Sequence, residues 1–130
     1  MKWIRSQEQA LPTFESSVLT VGNFDGVHLG HQKLLENVVN IAREKNTDPI
    51  VLTFRPHPKV ILRPQEPHFR MFDFRDQFEV MEQFKVSHLI EEKFSKDFAQ
   101  RSSEDFLINY VYKLFKPLHL VIGHDFFFGR

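Results

Sequence analysis

Two histidines, His28 and His31, lie three positions apart in the stretch GNFDGVHLGH, residues 22–31. An apolar run precedes this stretch and a helical pattern follows it, so both rings are expected near the start of a helix. The free N–H groups and the positive end of the helix dipole favour a bound phosphate there. Two imidazoles on one face can donate hydrogen bonds to the same anion, so the spacing points to phosphate binding.

The glycines of the stretch support a backbone that approaches a ligand closely. Gly22 and Gly26 permit tight turns or close contact, and Gly30 relieves crowding where the helix begins. The stretch differs from a Walker loop, since it has no GKS or GKT, and from the G-x-G-x-x-G fingerprint of dinucleotide-binding proteins.

Other roles for these histidines remain open. His28 and His31 could hydrogen-bond backbone groups at the helix terminus. They could also bind zinc together with His57, although no carboxylate or thiolate accompanies them at metal-site spacing. His57 itself could brace the proline-rich segment around it.

The composition limits the partners of this chain of 130 residues. Its 17 lysines and arginines balance 17 aspartates and glutamates, so no overall field attracts nucleic acid or an anionic membrane. Cysteine is absent, which excludes a disulfide framework and is compatible with a reducing compartment. The sequence shows neither a signal peptide nor a run of about 20 apolar residues. We therefore expect one soluble, cytoplasmic domain with no nucleic-acid or membrane partner.

Strand and helix patterns alternate along the chain. Four strands are predicted, of which 17–24 and 49–54 are buried and 86–94 and 118–123 follow. Helices are predicted at 30–46, 73–85 and 102–115. This alternation predicts the α/β class, with a Rossmann-like parallel sheet and helices on both faces. The stripe of Phe74, Phe78, Met81 and Phe84 is interpreted as core packing, and Ser102 with Asp105 as a near capping box.

Ligands of such a sheet bind beyond the carboxyl ends of the strands. That rule selects residues 22–31, the RPHP of 55–58 and the HDFFFGR of 124–130. Phe126–Phe128 could form an aromatic platform or fill the core. Asp25 and Asp125 could instead accept hydrogen bonds from local amides.

Three segments carry a family resemblance. HLGH, residues 28–31, resembles the H-x-G-H signature of the nucleotidylyltransferase superfamily. The longer TVGNFDGVHLGHQKLL resembles the FAD synthetase, or FMN adenylyltransferase, module of bacterial bifunctional riboflavin kinase and FAD synthetase. VLTFRPHP, residues 51–58, and IGHDFFFGR, residues 122–130, resemble further segments of that module in order and spacing.

The resemblance implies transfer of an adenylyl group from ATP to FMN, which gives FAD and pyrophosphate. It assigns His28 and His31 to the triphosphate and the transition state, and Asp25 to loop shape or a metal water shell. Mg2+ is expected to bind through the ATP phosphates and not directly to protein ligands. The residues assigned to the nucleotide are Gly22, Asn23, Phe24, Asp25 and Gly30, and those assigned to the flavin are Pro56, Pro58, Asp125 and Phe128.

The chain departs from this family pattern at three points. Arg55 and His124 replace the more usual glutamate and tyrosine, and both could tune affinity. The family continues beyond Arg130 with a motif that contacts the ATP phosphates, and then with a riboflavin kinase domain. We therefore expect residues 1–130 to be the N-terminal FMN adenylyltransferase domain of a longer chain, C-terminally incomplete.

Two alternatives to FMN adenylyl transfer follow from the sequence. One is a nucleotidylyltransferase with another phosphorylated acceptor, such as phosphopantetheine or nicotinamide mononucleotide. The other is a truncated, non-catalytic module that binds flavin or nucleotide.

Overall fold

A computed structural model describes residues 1–24, 29–55 and 74–122, which form a five-stranded parallel sheet covered by helices. The strand order is β1-β4-β3-β2-β5. The strands are β1 Lys2–Arg5, β2 Ser17–Val21, β3 Asp48–Arg55, β4 His88–Lys93 and β5 Pro117–Ile122. The predicted fold class, a Rossmann-like sheet with parallel strands, is confirmed.

The first predicted strand is shorter than expected. β2 ends at Val21 and not at residue 24, because the backbone turns away from the sheet after Gly22. Phe24 has a φ of 51°, which lies far from extended backbone. The loop therefore begins directly after the carboxyl end of β2.

The edge strand β1 was missed by the sequence prediction of four strands. Its sequence, KWIR, is short and carries a charge at each end, so it gives little periodic signal. Pairing with β4 defines it, with Trp3 opposite Leu89 and Arg5 opposite Glu91. The sheet therefore has five strands in the part of the chain that the structure describes.

Helices cover both faces of the sheet, as predicted. They are α1 Leu29–Lys45, α2 Phe74–Gln83, α3 Lys96–Ala99, α4 Ser103–Phe106 and α5 Lys113–Phe115, and a π-helical segment, Leu107–Tyr112, joins the last two. The short α3 and the π winding were not predicted, since side-chain spacing alone does not reveal either. The expected cap is confirmed, because Ser102 Oγ accepts a hydrogen bond of 3.0 Å from the backbone N–H of Asp105.

Two apolar layers hold these helices on the sheet. On one face, the residues of 103–115 contact strand residues of β2, β3 and β4 around Phe54 and Phe115. On the other face, α1 and α2 contribute Leu35, Val39 and Met81, which pack on Val51 and Leu89. The second layer also includes Phe84, and the ring of Phe78 lies 5.6 Å from that of Trp3, so core packing is confirmed for Phe78, Met81 and Phe84. The side chain of Phe74 lies outside the described part of the stripe.

The topology places the loop after β2 at a switch point. β2 lies between β3 and β5, and α1 leads to β3 on one face while residues 103–115 lead to β5 on the other. Crevices beyond the carboxyl ends of such strands are where ligands bind in open α/β sheets. None of the helices within the described ranges is long and apolar enough to cross a bilayer.

Candidate functional site

Gly22 begins the loop after β2 and lies directly under an aromatic ring. Its N–H donates a hydrogen bond of 3.1 Å to the carbonyl of Leu52, which continues the pairing of β2 with β3. A Cβ atom on Gly22 would lie 2.9 Å from a ring carbon of Phe24. The close approach expected at this glycine is thus an approach of Phe24, two residues later.

Phe24 links the loop to the first turn of α1. Its side chain is 3% exposed, and its ring lies edge-on against the imidazole of His31, with 5.1 Å between centroids and 61° between planes. A bulky residue with positive φ is unusual and costs on the order of 1–3 kcal/mol, so surrounding contacts must hold it there. The contacts of its ring and its carbonyl supply this stabilisation.

Two side chains from other elements hold the loop by its carbonyl groups. Thr53 Oγ1, on β3, donates a hydrogen bond of 3.1 Å to the carbonyl of Asn23. Gln77 Nε2, on α2, donates to the carbonyl of Phe24. Both side chains are buried, so each bond replaces water that the carbonyl would otherwise bind.

Sequence reasoning missed Thr53 and Gln77 as parts of this site. A signal for Gln77 was present, because it falls within the apolar stripe of α2, between Phe74 and Met81. A polar residue at a core-facing position needs a hydrogen-bond partner, and this partner is the loop. Thr53 gave no such signal, since threonine is common in strands.

Asn23 leaves a buried acceptor within the loop. Its Oδ1 has no hydrogen-bond partner among residues 1–24, 29–55 and 74–122. Thr20 Oγ1, on β2, is buried and unpaired in the same part of the chain. Buried polar atoms without partners are uncommon, and a bound water, ion or ligand is one way to satisfy them.

A row of charged side chains lies on the face of the sheet that carries Thr53, near the carboxyl ends of β1, β3 and β4. Glu91, on β4, is 2% exposed and accepts from Arg5 Nε at 2.8 Å and from Arg55 Nε at 2.7 Å. Arg5 also contacts Glu8 at 2.9 Å. Hydrogen bonding to Glu91 raises the pKa of Arg5, against the opposing effect of burial.

This row accounts for the arginine at position 55. Arg55 is the last residue of β3, and its ion pair with Glu91 connects β3 to β4. The ion pair of Arg5 with Glu91 connects β1 to β4. With Glu8, which also pairs with Arg5, the four side chains carry no net charge.

The structure brings together four of the predicted site residues. Gly22, Asn23, Phe24 and His31 lie in one loop and the helix that follows it, and the backbone of Gly30 lies in the first turn of α1. The other predicted site residues lie outside the described residues: Asp25, His28, Pro56, Pro58, Asp125 and Phe128, with His57 and His124. In the remainder, no three His, Asp or Glu side chains are grouped as metal ligands.

The arrangement around His31 suits anion binding. The imidazole lies two residues after the first residue of α1, where free N–H groups and the helix dipole favour negative charge. Phe24 restricts the ring on one side. An imidazole held in this way can donate a hydrogen bond to a phosphate without first becoming ordered.

Comparison with known proteins identifies relatives over nearly the whole chain. A family model described as FAD synthetase matches residues 11–130. A bifunctional riboflavin kinase/FMN adenylyltransferase of Buchnera aphidicola subsp. Acyrthosiphon pisum is 36% identical over 99% of this chain and 41% of its own length. A protein of that name from Bacillus subtilis is 39% identical over 88% of this chain and 36% of its own length.

Two further matches complete the comparison. A FAD synthetase of Listeria monocytogenes is 35% identical over 88% of this chain and 46% of its own length. A crystal structure named as a macrolide-efflux protein from Streptococcus pneumoniae superimposes with a TM-score of 0.82 and 27% identity, over 99% of this chain and 44% of that chain. The chain thus spans about two fifths of the length of the curated relatives it matches.

Proposed function

Because the chain belongs to the FAD synthetase family, we propose that it transfers the adenylyl group of ATP to FMN. A phosphate oxygen of FMN attacks the α-phosphorus of ATP and forms a new P–O bond. The bond from the α-phosphorus to the bridging oxygen breaks, and pyrophosphate leaves with that electron pair. The observation that carries the proposal is the family match over residues 11–130.

The geometry around His31 supports this chemistry. Adenylyl transfer depends mainly on alignment of the two phosphates and on neutralisation of the charge that develops. His31, at the start of α1 and against Phe24, is proposed to donate a hydrogen bond to the triphosphate, together with His28. Neither histidine acts as a nucleophile.

The substrate contacts are part of the proposal. The loop residues Gly22, Asn23 and Phe24 would contact the nucleotide through the backbone. Asp25 and Gly30 would also contact the nucleotide. Pro56, Pro58, Asp125 and Phe128 would contact the flavin. ATP would bind as its magnesium complex, since Mg2+ is usually held by substrate phosphates and water in such sites.

The names of the relatives suggest the wider setting. Two of them join FMN adenylyltransferase to riboflavin kinase, and the name FAD synthetase stands alone for the relative from Listeria monocytogenes. We propose that residues 1–130 act as an adenylyltransferase domain, with a riboflavin kinase domain as its partner in a longer chain. The proposed location is the cytoplasm, where ATP is available.

The direct test is incubation of the purified chain with FMN, ATP and Mg2+, followed by chromatographic separation of FAD and measurement of pyrophosphate. The proposal predicts that both products form in equal amounts. Turnover with phosphopantetheine or nicotinamide mononucleotide, and not with FMN, would contradict it. Saturable binding of FMN or ATP with no product would also contradict it and would favour a binding module.

A further inference from the structure

Gln77 is a buried polar side chain on α2, next to apolar residues of the same helix that pack on the sheet. It is 1% exposed, and α2 packs its neighbour Met81 into the layer that contains Phe24 and Leu35. Its Nε2 donates to the carbonyl of Phe24, which lies 53 positions earlier in the chain. A buried amide that reaches across the fold to one loop carbonyl fixes where that loop lies.

The residue that Gln77 holds is the one that contacts His31. Phe24 has its φ at 51°, and its ring lies 5.1 Å from the imidazole of His31. Rotation of the backbone toward an ordinary negative φ would move both the carbonyl and the ring. The hydrogen bond from Gln77 therefore opposes the rotation that would separate the two rings.

Thr53 provides a second anchor, from a strand and not from a helix. Its hydroxyl donates to the carbonyl of Asn23, one residue before Phe24. Two consecutive carbonyl groups are thus held by a strand and by a helix, and each bond limits the rotation of the peptide units between them.

We propose that Gln77 is a positioning residue for His31, acting through the backbone and ring of Phe24. Its link to catalysis rests on the proposed adenylyl transfer. Gln77 touches no reacting atom; it keeps the imidazole in the orientation that the transition state needs. Thr53 supports the same loop and has a smaller effect.

The test replaces the amide donor without a large change in volume, as Gln77→Met. The expected result is a fall in kcat for FAD formation of about tenfold to a hundredfold, the range for a catalytic group misplaced by about 1 Å. KM for FMN should stay within about twofold, because the residues proposed to contact the flavin lie outside this loop. Val111→Ala, buried on the opposite face of the sheet, is the control for a general loss of stability.

A second readout does not depend on activity. The Hε1 proton of His31, assigned by its loss in His31→Gln, should shift in Gln77→Met because the ring current of Phe24 changes. The chemical shift of the same proton should not change in Val111→Ala. If Gln77→Met does not fold, Thr53→Val provides the same measurement, with a smaller shift expected.

The two readouts separate the possible failures. An unchanged kcat with an unchanged His31 signal would overturn the proposal, as would a lower kcat with an unchanged signal. A third outcome is that the parent chain makes no FAD but the His31 signal still shifts in Gln77→Met. This outcome would support the coupling of Gln77 to His31 and contradict the proposed function.

Discussion

The ring of Phe24 lies edge-on against the imidazole of His31, with 5.1 Å between their centroids. This contact joins the loop that leaves β2 to the first turn of α1. Phe24 occupies the space over Gly22 and has a left-handed backbone conformation. The orientation of a candidate catalytic side chain thus depends on a buried aromatic ring that sequence reasoning assigned to nucleotide contact.

Replacement of Gly22 by alanine should destabilise the protein and displace Phe24. The added Cβ would lie 2.9 Å from the ring of Phe24, which is buried and has little room to move. Overpacking of this kind costs about 1–3 kcal/mol. Urea unfolding measures it, with Asn40→Ala on the exposed side of α1 as a control that changes stability by less than about 0.5 kcal/mol. Equal stability of Gly22→Ala and the parent would contradict the packing described here.

Replacement of Glu91 by glutamine should weaken the attachment of β1 and β3 to β4. The change removes the carboxylate that Arg5 and Arg55 share, while Arg5 keeps its contact with Glu8. We expect a loss of about 2 kcal/mol, below the cost for a fully buried pair, because both arginines remain partly exposed to water.

Glu8→Gln is the matched control for the charged row. Glu8 also pairs with Arg5, but its side chain is 61% exposed, so its loss should cost less than about 1 kcal/mol. Comparison of urea midpoints for the two variants gives the result. A larger effect at Glu8 than at Glu91 would be inconsistent with a buried ion pair at the carboxyl end of β4.

The stability of the protein should fall in mild acid because of His88. Burial lowers the pKa of His88, with Lys2 and the N-terminal amine acting in the same direction and Asp48 opposing them. Below an ordinary pKa of about 6.5, the unfolded chain takes up a proton that the folded chain resists. The free energy of unfolding therefore decreases as the pH falls through this range, and is independent of His88 well above it.

The measurement compares urea midpoints at about pH 7.5 and about pH 5.5 for the parent and for His88→Phe. Phenylalanine keeps an aromatic ring against Phe14, which lies 4.9 Å from the ring of His88. The variant should lose less stability between the two pH values than the parent. An identical loss in both proteins would exclude His88 as a source of this pH dependence.

Much of the fold could be predicted because its signals are local. The runs SVLTVGNF and PIVLTF were predicted as buried strands and contain most of β2 and β3. The spacing of Leu35, Val38, Val39 and Ala42 identified the face of α1 that packs on the sheet. The strand β1 could not be predicted, since KWIR forms a strand only through pairing with β4. The π winding of Leu107–Tyr112 likewise gives no signal in the spacing of side chains.

The site could be predicted only in its local part. The loop after β2 and His31 were identified from glycine and histidine spacing within ten residues. Thr53, Gln77 and Glu91 act through contacts that span 30 to 86 positions, and such pairs leave no periodic pattern in a single sequence. The roles of all the predicted site residues, His31 included, remain predictions.

The proposed role of His31 is tested most directly by the rate of FAD formation in His31→Ala, measured with the affinity for FMN in the same preparation. If His31 contacts the triphosphate mainly in the transition state, kcat should fall by about a hundredfold or more, while the Kd for FMN changes by less than about threefold. Unchanged turnover in the folded variant would show that His31 takes no part in the reaction and would contradict its proposed role at the transition state.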